Sequence, residues 1–161
     1  MKKNIIIVGS DGLIGSAIYE SLSDQYNIIG IDLLNKKKIN NFYKADITKE
    51  NSTKKVFKNI YKKFKKIDCI INSAYPRNNA LRLSFEKLSL KNFNTNINLN
   101  LGSLFNLIKN SYEYLKTNKY SSFINISSIY GSFTPRYEIY DPGKSPPAVY
   151  QTLKAGQIMM I

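Results

Sequence analysis

The sequence predicts an α/β fold, a single domain built on a doubly wound parallel β-sheet. Three observations lead to this prediction. Short apolar runs alternate with longer helical patterns, as in repeated β-α-β units. The first apolar run, residues 4–8, leads directly into closely spaced glycines. The length of 161 residues suits one domain, and the chain shows no internal repeat.

The apolar runs and their turn residues place the elements in order. Five strands are predicted at residues 4–8, 27–32, 41–45, 67–73 and 122–127. Helical patterns cover residues 13–26, 49–65 and 93–115. The last pattern carries apolar side chains close to a 3.6-residue period, at Phe93, Ile97, Leu101, Leu104, Phe105, Ile108, Tyr112 and Leu115. Residues 134–147 contain four prolines and predict a long irregular loop.

Composition excludes several classes of protein. The chain has 43% hydrophobic residues and no apolar run near the roughly 18 residues that a membrane helix needs. The first apolar run is too short for a signal peptide, so we expect a cytoplasmic protein without a membrane partner. The net charge of +13 comes from scattered lysines. Their densest cluster, Lys36 to Lys38, is typical of a solvated loop, and nucleic-acid binding is the least favoured function.

Histidine is absent from the chain, and Cys69 is its single cysteine. A histidine-based zinc site and a Ser-His-Asp triad are therefore excluded, and no metal site is predicted. Cys69 lies within an apolar run, which indicates a buried structural thiol.

The turn after the first strand is rich in glycine. Gly9, Gly12 and Gly15 stand three residues apart, and Ser10 takes the position where the strict G-x-G-x-x-G pattern would begin. Such a turn directs backbone N–H groups and a helix dipole at an anion, although a purely structural turn also needs glycines. The candidate cofactor-binding residues of this loop are Gly9, Ser10, Asp11, Gly12, Leu13, Ile14 and Gly15.

An acidic residue, Asp32, ends the second predicted strand, 17 residues after Gly15. Its carboxylate could accept hydrogen bonds from the adenosine ribose hydroxyls of a dinucleotide, and it would repel a 2′-phosphate. The position therefore favours NAD over NADP. Lys36 to Lys38 lie close enough along the chain to leave NADP open.

Four tyrosines are followed by a lysine four residues later: Tyr61/Lys65, Tyr112/Lys116, Tyr140/Lys144 and Tyr150/Lys154. This spacing places both side chains on one helix face but does not choose among the pairs. The first two pairs lie on amphipathic helices, and Pro142 and Gly143 interrupt the third. The last pair follows a serine pair that closes the fifth strand, where a parallel sheet forms its ligand crevice. Tyr150 and Lys154 are therefore the candidate pair.

With these residues in place, the sequence resembles the short-chain dehydrogenase/reductase family across essentially the whole chain. The matching positions are Gly9, Gly12, Gly15, Asp32, Asp46, Asn72, Ser73, Ala74, Asn100, Ser128, Tyr150 and Lys154. The stretch ISSIYGSFTPRYEIYDPG is similar to members acting in bacterial surface-sugar pathways, such as flagellin modification. The resemblance implies a Rossmann-like sheet and an oxidoreductase acting on a sugar-like alcohol or ketone. The substrate could be a nucleotide sugar or a nonulosonate precursor.

The resemblance also implies catalytic roles. Tyr150 would exchange a proton with the substrate oxygen while a hydride moves to or from the nicotinamide. An unperturbed phenol has a pKa near about 10, so the Lys154 ammonium would favour the tyrosinate and also hold the nicotinamide ribose. Ser128 would bind the substrate oxygen, although Ser127 could exchange roles with it. Asn100 would hold a water in the proton relay, although other asparagines stand nearby.

Further cofactor contacts are implied after the third and fourth strands. Asp46, with Ile47, would lie beside the adenine, although Asp46 could equally cap a turn. Asn72 would brace the sheet near the cofactor, followed by Ser73 and Ala74. The resemblance also implies a homo-oligomer packed through the helix before the fifth strand and the helix carrying Tyr150. The alternative function is a dinucleotide-binding remnant without catalysis.

The chain departs from the family pattern in its proline-rich loop. Ser128 and Tyr150 are 22 positions apart, a longer interval than the family pattern, and the extra residues could shape a substrate pocket. Arg136 and Lys144 on this loop would meet an anionic substrate.

The family pattern continues beyond Ile161 for two further strands, which indicates the N-terminal portion of a C-terminally truncated domain. The fifth strand would then be an exposed sheet edge, which favours aggregation. We therefore expect the 161 residues alone to be poorly soluble or inactive. Size-exclusion chromatography and a turnover assay test this, and a monodisperse, active sample would contradict it.

Overall fold

The computed structural model describes residues 2–141 and 148–161. Five strands form one parallel sheet in the order β3-β2-β1-β4-β5. Their bounds are β1 Asn4–Val8, β2 Asn27–Asp32, β3 Phe42–Lys44, β4 Cys69–Asn72 and β5 Ser122–Asn125. The order and direction of these strands confirm the predicted Rossmann-like α/β fold. β1 and β2 have the predicted bounds, whereas the other three strands are shorter than predicted.

Side chains and single backbone bonds replace the ladder where β4 and β5 fall short. The Asp68 carboxylate accepts the Asn4 N–H at 2.9 Å, so a side-chain oxygen replaces a strand carbonyl as the acceptor. Beyond β4, the Ser73 N–H donates to the Val8 carbonyl at 2.9 Å, and Ile126 donates to Asn72 at the same distance. The predicted residues therefore run alongside the sheet without forming regular strand.

The described residues form five α-helices: α1 Leu13–Leu22, α2 Glu50–Phe64, α3 Leu90–Ile97, α4 Ser103–Leu115 and α5 Tyr150–Met160. A π-helical segment, Asn98–Gly102, stands between α3 and α4. Short 3₁₀ turns occur at Asn79–Arg82, Phe85–Lys87, Ile129–Gly131 and Tyr137–Ile139. Of the predicted irregular loop, residues 142–147 lie outside the described residues, and with them Pro142, Gly143 and Lys144.

The chain divides into two compact units, and residues 2–75 with 106–126 form the first. Both faces of its sheet are buried. Successive apolar side chains of β1 point to opposite faces, and each face packs into its own apolar cluster. Ile6 and Val8 pack with Phe57 and Ile60 of α2. Ile5 and Ile7 belong to a second cluster on the α1 side. Helices therefore cover both faces of the sheet, as a doubly wound fold requires.

The second unit consists of residues 76–105, 127–141 and 148–161. Its helix α5 packs against the Ile129–Gly131 turn and against the π-helical segment. A Cβ placed on Gly131 would lie 2.8 Å from the Lys154 carbonyl oxygen, so only glycine permits this approach. Leu153 of α5 is fully buried within the unit.

The helical pattern over residues 93–115 is correct, but much of the burial falls on polar side chains. Asn96 is fully buried and Asn100 is 1% exposed. In contrast, Phe105 and Tyr112 are 57% and 59% exposed, although both belong to the apolar period. Periodicity identifies a helix, but a helix with an apolar stripe can still leave part of that stripe outside the core.

The structure also describes the length of the helices and the surroundings of Cys69. Within residues 2–141 and 148–161, the structure has no helix long and apolar enough to cross a bilayer. Cys69 lies half-buried in β4, and burial raises the pKa of its thiol above the usual value.

Candidate active site

The glycine turn in the first unit depends on two very close backbone approaches. Gly9 has a φ of +81°, and a Cβ there would lie 2.7 Å from the Ala74 amide nitrogen. A Cβ on Gly15 would lie 2.1 Å from the Gly9 carbonyl oxygen. Both positions therefore need glycine for backbone reasons alone. The same approaches bring β1, α1 and the end of β4 together around one turn.

Helix α1 begins in a way that leaves its first turn suited to an anion. Gly12 is the N-cap residue, and it has no side chain with which to cap the helix. The first turn contains no acidic residue, and Leu13 is 90% exposed. An uncapped helix N-terminus with accessible backbone N–H groups is a common phosphate site.

Ser10 points away from this surface and into the first unit. The residue is fully buried, and its hydroxyl would lie 2.8 Å from a Cβ placed on Gly30. Gly30 therefore makes room for a serine at the position where the strict dinucleotide pattern has glycine. With its side chain turned inward, Ser10 presents no hydroxyl to a ligand, and its N–H donates to the Ile31 carbonyl at 3.4 Å.

Asp32 is held at the end of β2 by two backbone donors. Its carboxylate accepts the Asp11 N–H at 2.9 Å and the Leu33 N–H at 2.7 Å. The Asp11 carboxylate in turn accepts the Lys37 N–H at 2.9 Å. The sequence does not predict the bond between Asp11 and Lys37, because the two residues lie 26 positions apart and no motif links them. The glycine turn and the basic loop after β2 are thus tied through two aspartates.

Lys37 has an anionic partner of its own. Its ammonium lies 3.5 Å from a Glu20 carboxylate oxygen, on the exposed surface of the first unit. An exposed ion pair of this kind contributes little stability, but it favours side-chain conformations that place the Lys37 ammonium near Glu20. It draws one of the three basic residues after β2 towards α1.

The Asp46 side chain caps a turn. Its Oδ1 accepts the Thr48 N–H at 3.0 Å and the Thr48 hydroxyl at 2.7 Å. Ile47 beside it is buried, and its carbonyl accepts a 2.9 Å hydrogen bond from the Asn106 amide of α4. These contacts explain both residues structurally, and their expected place beside an adenine stays a prediction.

The residues after β4 brace the sheet. The buried Asn72 donates to the Asn125 side chain at 2.8 Å and accepts the Ala74 N–H at 3.2 Å. The Ser73 hydroxyl donates to the Val8 carbonyl at 2.9 Å. This short segment therefore connects β4 to both of its neighbouring strands, and the expected role of Asn72 near a cofactor stays a prediction.

In the second unit, Asn100 lies within the π-helical segment. Its amide nitrogen donates to the carbonyls of Asn96 and Pro76, each at 3.2 Å. Its Oδ1 is buried and has no hydrogen-bond partner among the described residues. A buried acceptor of this kind needs a donor such as an ordered water. π-helical segments are also frequent at functional sites.

The two serines after β5 make different contacts. The Ser127 hydroxyl donates to the Lys154 carbonyl at 3.1 Å, which ties it to α5. The Ser128 hydroxyl accepts the Tyr130 N–H at 3.2 Å and keeps its own proton for another acceptor. The contacts thus give Ser127 a structural bond and leave Ser128 a donor.

Tyr150 and Lys154 occupy the first turns of α5. The Lys154 ammonium lies 5.8 Å from the centre of the Tyr150 ring. Lys154 is 6% exposed, and burial lowers the pKa of its ammonium below the usual value. A lysine is rarely buried without a reason, which makes this one a candidate functional group.

The Tyr112/Lys116 pair has almost the same geometry, with 5.6 Å between ammonium and ring centre. Lys116, however, is exposed, and its hydrogen bond to Glu113 raises the pKa of its ammonium. Burial therefore separates the two pairs where distance does not.

The Tyr61/Lys65 pair does not form a comparable site. The Tyr61 ring packs on Tyr114 with centroids 4.9 Å apart, and Lys65 ends α2 in a left-handed conformation with φ of 61°. Tyr140 hydrogen-bonds Tyr130 through their hydroxyls at 2.9 Å, whereas Lys144 lies outside the described residues.

Comparison with known proteins identifies relatives of the chain. A family model described as enoyl-(acyl carrier protein) reductase, within the short-chain dehydrogenases/reductases, matches residues 30–152. The chain is 26% identical to the post-translational flagellin modification protein A of Campylobacter coli, over 96% of this chain and 66% of that protein. It is 30% identical to a 3-oxoacyl-(acyl-carrier-protein) reductase of Buchnera aphidicola, over 80% of this chain and 56% of that protein. The chain thus spans less than two thirds of the length of these curated relatives.

Solved structures of other dehydrogenases are also similar to the chain. A short-chain dehydrogenase from Leptospira borgpetersenii, solved with bound NAD⁺, is 30% identical with a TM-score of 0.81. That likeness covers 99% of this chain and 63% of the other. The aldohexose dehydrogenase of Thermoplasma acidophilum has a TM-score of 0.82 over 99% of this chain and 58% of its own. Its identity of 22% supports the fold alone.

The glycine turn is open to a direct test. We expect Gly15→Ala to lose most binding of a nicotinamide dinucleotide and to destabilise the protein, because its Cβ would lie 2.1 Å from the Gly9 carbonyl oxygen. NADH titration by fluorescence and thermal unfolding measure both effects. Gly102→Ala is the matched control, since nothing lies within 4 Å of its Cβ. The control should be neutral or stabilising by up to about 1 kcal/mol. Equal NADH affinity in the two variants would contradict this account.

Proposed function

The chain belongs to the short-chain dehydrogenase/reductase family of oxidoreductases, and from that premise we propose that it reduces or oxidises a sugar-like substrate with a nicotinamide cofactor. The observation that carries the proposal is the buried Lys154 beside Tyr150. We further propose that residues 1–161 form the N-terminal portion of one dinucleotide-binding domain, because the matched relatives are longer. The cytoplasm is the expected compartment.

The residues of the first unit suit a nicotinamide dinucleotide. The uncapped start of α1 would bind the pyrophosphate through backbone N–H groups, in a turn that side chains at Gly9 and Gly15 would block. Asp32, held by two backbone donors, would accept hydrogen bonds from the adenosine ribose. We propose NAD as the preferred cofactor, because the same carboxylate would repel a 2′-phosphate.

Catalysis would combine hydride and proton transfer. The bound nicotinamide supplies or accepts the hydride. Tyr150 would donate a proton to the substrate oxygen during reduction and take it back during oxidation. The Lys154 ammonium would stabilise the tyrosinate, and in a buried setting this attraction is screened less than in water.

Two further side chains would assist this transfer. Ser128 would donate its hydroxyl proton to the substrate oxygen, since its present hydrogen bond uses the oxygen as an acceptor. Asn100 would hold a water on its buried Oδ1 and so connect the pair to solvent. Ser127, bonded to the Lys154 carbonyl, would keep α5 in place beside them.

The substrate class is proposed from the relatives. The flagellin modification protein supports a sugar-like substrate in carbohydrate biosynthesis. An anionic substrate bound by Arg136 has less support, because its guanidinium forms a 2.7 Å ion pair with Glu138.

We also propose a homo-oligomer. Within the second unit, Phe105 of α4 is 57% exposed and Met159 of α5 is 86% exposed. Exposed large apolar side chains on these two helices support association through them. Sedimentation velocity on the full-length protein tests the proposal, and a monomer at micromolar concentration would refute it.

The mechanism predicts a selective loss in Tyr150→Phe. We expect its kcat to fall by about 10²–10⁴, the usual contribution of general acid–base catalysis, while NADH affinity stays the same. NADH formation from NAD and a panel of aldoses measures the loss. Tyr112→Phe is the matched control, because Tyr112 also has a lysine neighbour, Lys116 at 5.6 Å, but on an exposed surface. Dinucleotide binding without turnover in the unmodified full-length protein would favour the non-catalytic alternative.

Cofactor choice gives an independent prediction. Asp32→Ala should lower the preference for NADH over NADPH by about tenfold, or about 1.4 kcal/mol, because it removes both a ribose acceptor and a repulsive charge. Fluorescence titration with the two cofactors measures the ratio. Glu113→Gln, which removes an exposed carboxylate of the first unit whose partner is Lys116, is the control and should leave the ratio unchanged. A wild-type preference for NADPH would contradict the assignment.

A further inference from the structure

The second unit contains a cavity that the proposed mechanism does not use. Its volume is about 790 Å³, within the range of small-molecule sites. One wall is the segment that follows the Ile129–Gly131 turn, another is α5, and a third is the Phe85–Lys87 turn. Neither Tyr150 nor Lys154 belongs to the described lining. The cavity is therefore distinct from the Tyr150/Lys154 pair.

Aromatic rings form much of the lining and remain open to solvent. Phe85 is 80% exposed, Phe133 69% and Tyr137 56%, and Tyr130 completes the set. Single exposed apolar side chains are ordinary, but several around one concave site indicate a ligand or partner. Flat aromatic faces bind the C–H face of a sugar ring well, and tyrosine adds a hydroxyl that can hydrogen-bond.

The charge of the cavity is opposite to that of the chain. Glu86 is the one ionisable carboxylate in the described lining, and none of its residues is lysine or arginine, in a chain of net charge +13. Hydrogen bonds from its own backbone N–H and from Ser84 lower the pKa of Glu86, so it is ionised at neutral pH. Lys87 lies close enough to add to that effect but is not part of the lining. The described lining would therefore disfavour a phosphate and favour hydroxyls or an ammonium group.

The cavity adjoins the proposed catalytic residues through the backbone. Tyr130 is two residues after Ser128, and Gln151 directly follows Tyr150. Successive helical residues project about 100° apart, so Gln151 and Ala155 line the cavity on the face beside the Tyr150/Lys154 face. A ligand held here would lie next to the reacting groups.

We propose that this cavity binds a sugar ring, uncharged or carrying an ammonium group, and excludes phosphorylated sugars. Its link to catalysis rests on the proposed function: the ring would be the part of the substrate away from the reacting carbon. Binding energy from such a remote part can be used to position the reacting end. Phe133 and its aromatic neighbours stack on the ring, and Glu86 binds its hydroxyls or ammonium.

Saturation-transfer NMR on the full-length protein without cofactor tests the proposal. The probes are methyl glucoside, methyl glucosaminide and glucose 6-phosphate. The first two should bind, the amino sugar more tightly, and the phosphate more weakly than either. Phe133→Ala should weaken binding of both glycosides about tenfold. Glu86→Gln should remove the preference for the amino sugar. Both side chains are exposed, so both variants should fold, which thermal unfolding checks.

Tyr120→Ala is the matched control, because this aromatic residue is 80% exposed but lies on the first unit, outside the cavity. It should leave glycoside binding unchanged. Tightest binding of glucose 6-phosphate, or equal binding in Phe133→Ala and Tyr120→Ala, would overturn the proposal. Absent glycoside binding together with a dimer that Phe133→Ala dissociates would show an interface between copies instead. Glycoside binding that survives in a protein without turnover separates this proposal from the proposed enzyme function.

Discussion

The first unit depends on one close backbone contact, the approach of α1 and the end of β4 to the Gly9 peptide. A single methyl group at Gly15 would overlap the Gly9 carbonyl, and one at Gly9 would overlap Ala74. The left-handed φ of Gly9 turns the chain at this point, and the Ser73 hydroxyl bonds the carbonyl just before it. The start of α1 is consequently held where the strands end. The anion-binding character of that helix start is a result of packing, with no charged side chain in its first turn.

Burial distinguishes the Tyr150/Lys154 pair from the exposed Tyr112/Lys116 pair, and it lowers the stability of the folded state. Because desolvation lowers the pKa of Lys154 in the folded state, that state binds fewer protons than the unfolded chain between the two pKa values. Stability from this group therefore rises as the pH increases through that window, and the penalty is complete below the folded pKa. A charge retained under such a penalty is typical of a functional group. The exposed Lys116, whose pKa is raised by Glu113, carries no such cost.

How much of the structure can be predicted from the sequence depends on how far apart the interacting residues lie along the chain. β1 and β2 were predicted to the residue, because both are apolar runs bounded by polar or glycine residues. The start of β4 was not, since the Asp68 carboxylate takes the place of a ladder carbonyl, a contact across 64 positions. The Asp11–Lys37 bond and the inward turn of Ser10 were invisible for the same reason. Local patterns identify elements and motifs, whereas the direction of a side chain depends on partners far along the chain.

The π-helical segment sets a limit on how this chain can change in length. Asn98–Gly102 holds one residue more per turn than an α-helix, and that extra residue lies at Asn100 and its neighbours. Deleting one residue here would restore a regular helix and remove the widened turn in which Asn100 is held. Substitutions can be absorbed at the exposed Gly102, where nothing lies within 4 Å of an added methyl group. Insertions and deletions cannot, so we expect the exposed positions of this stretch to vary in sequence, while Asn100 and the number of residues between α3 and α4 stay constant.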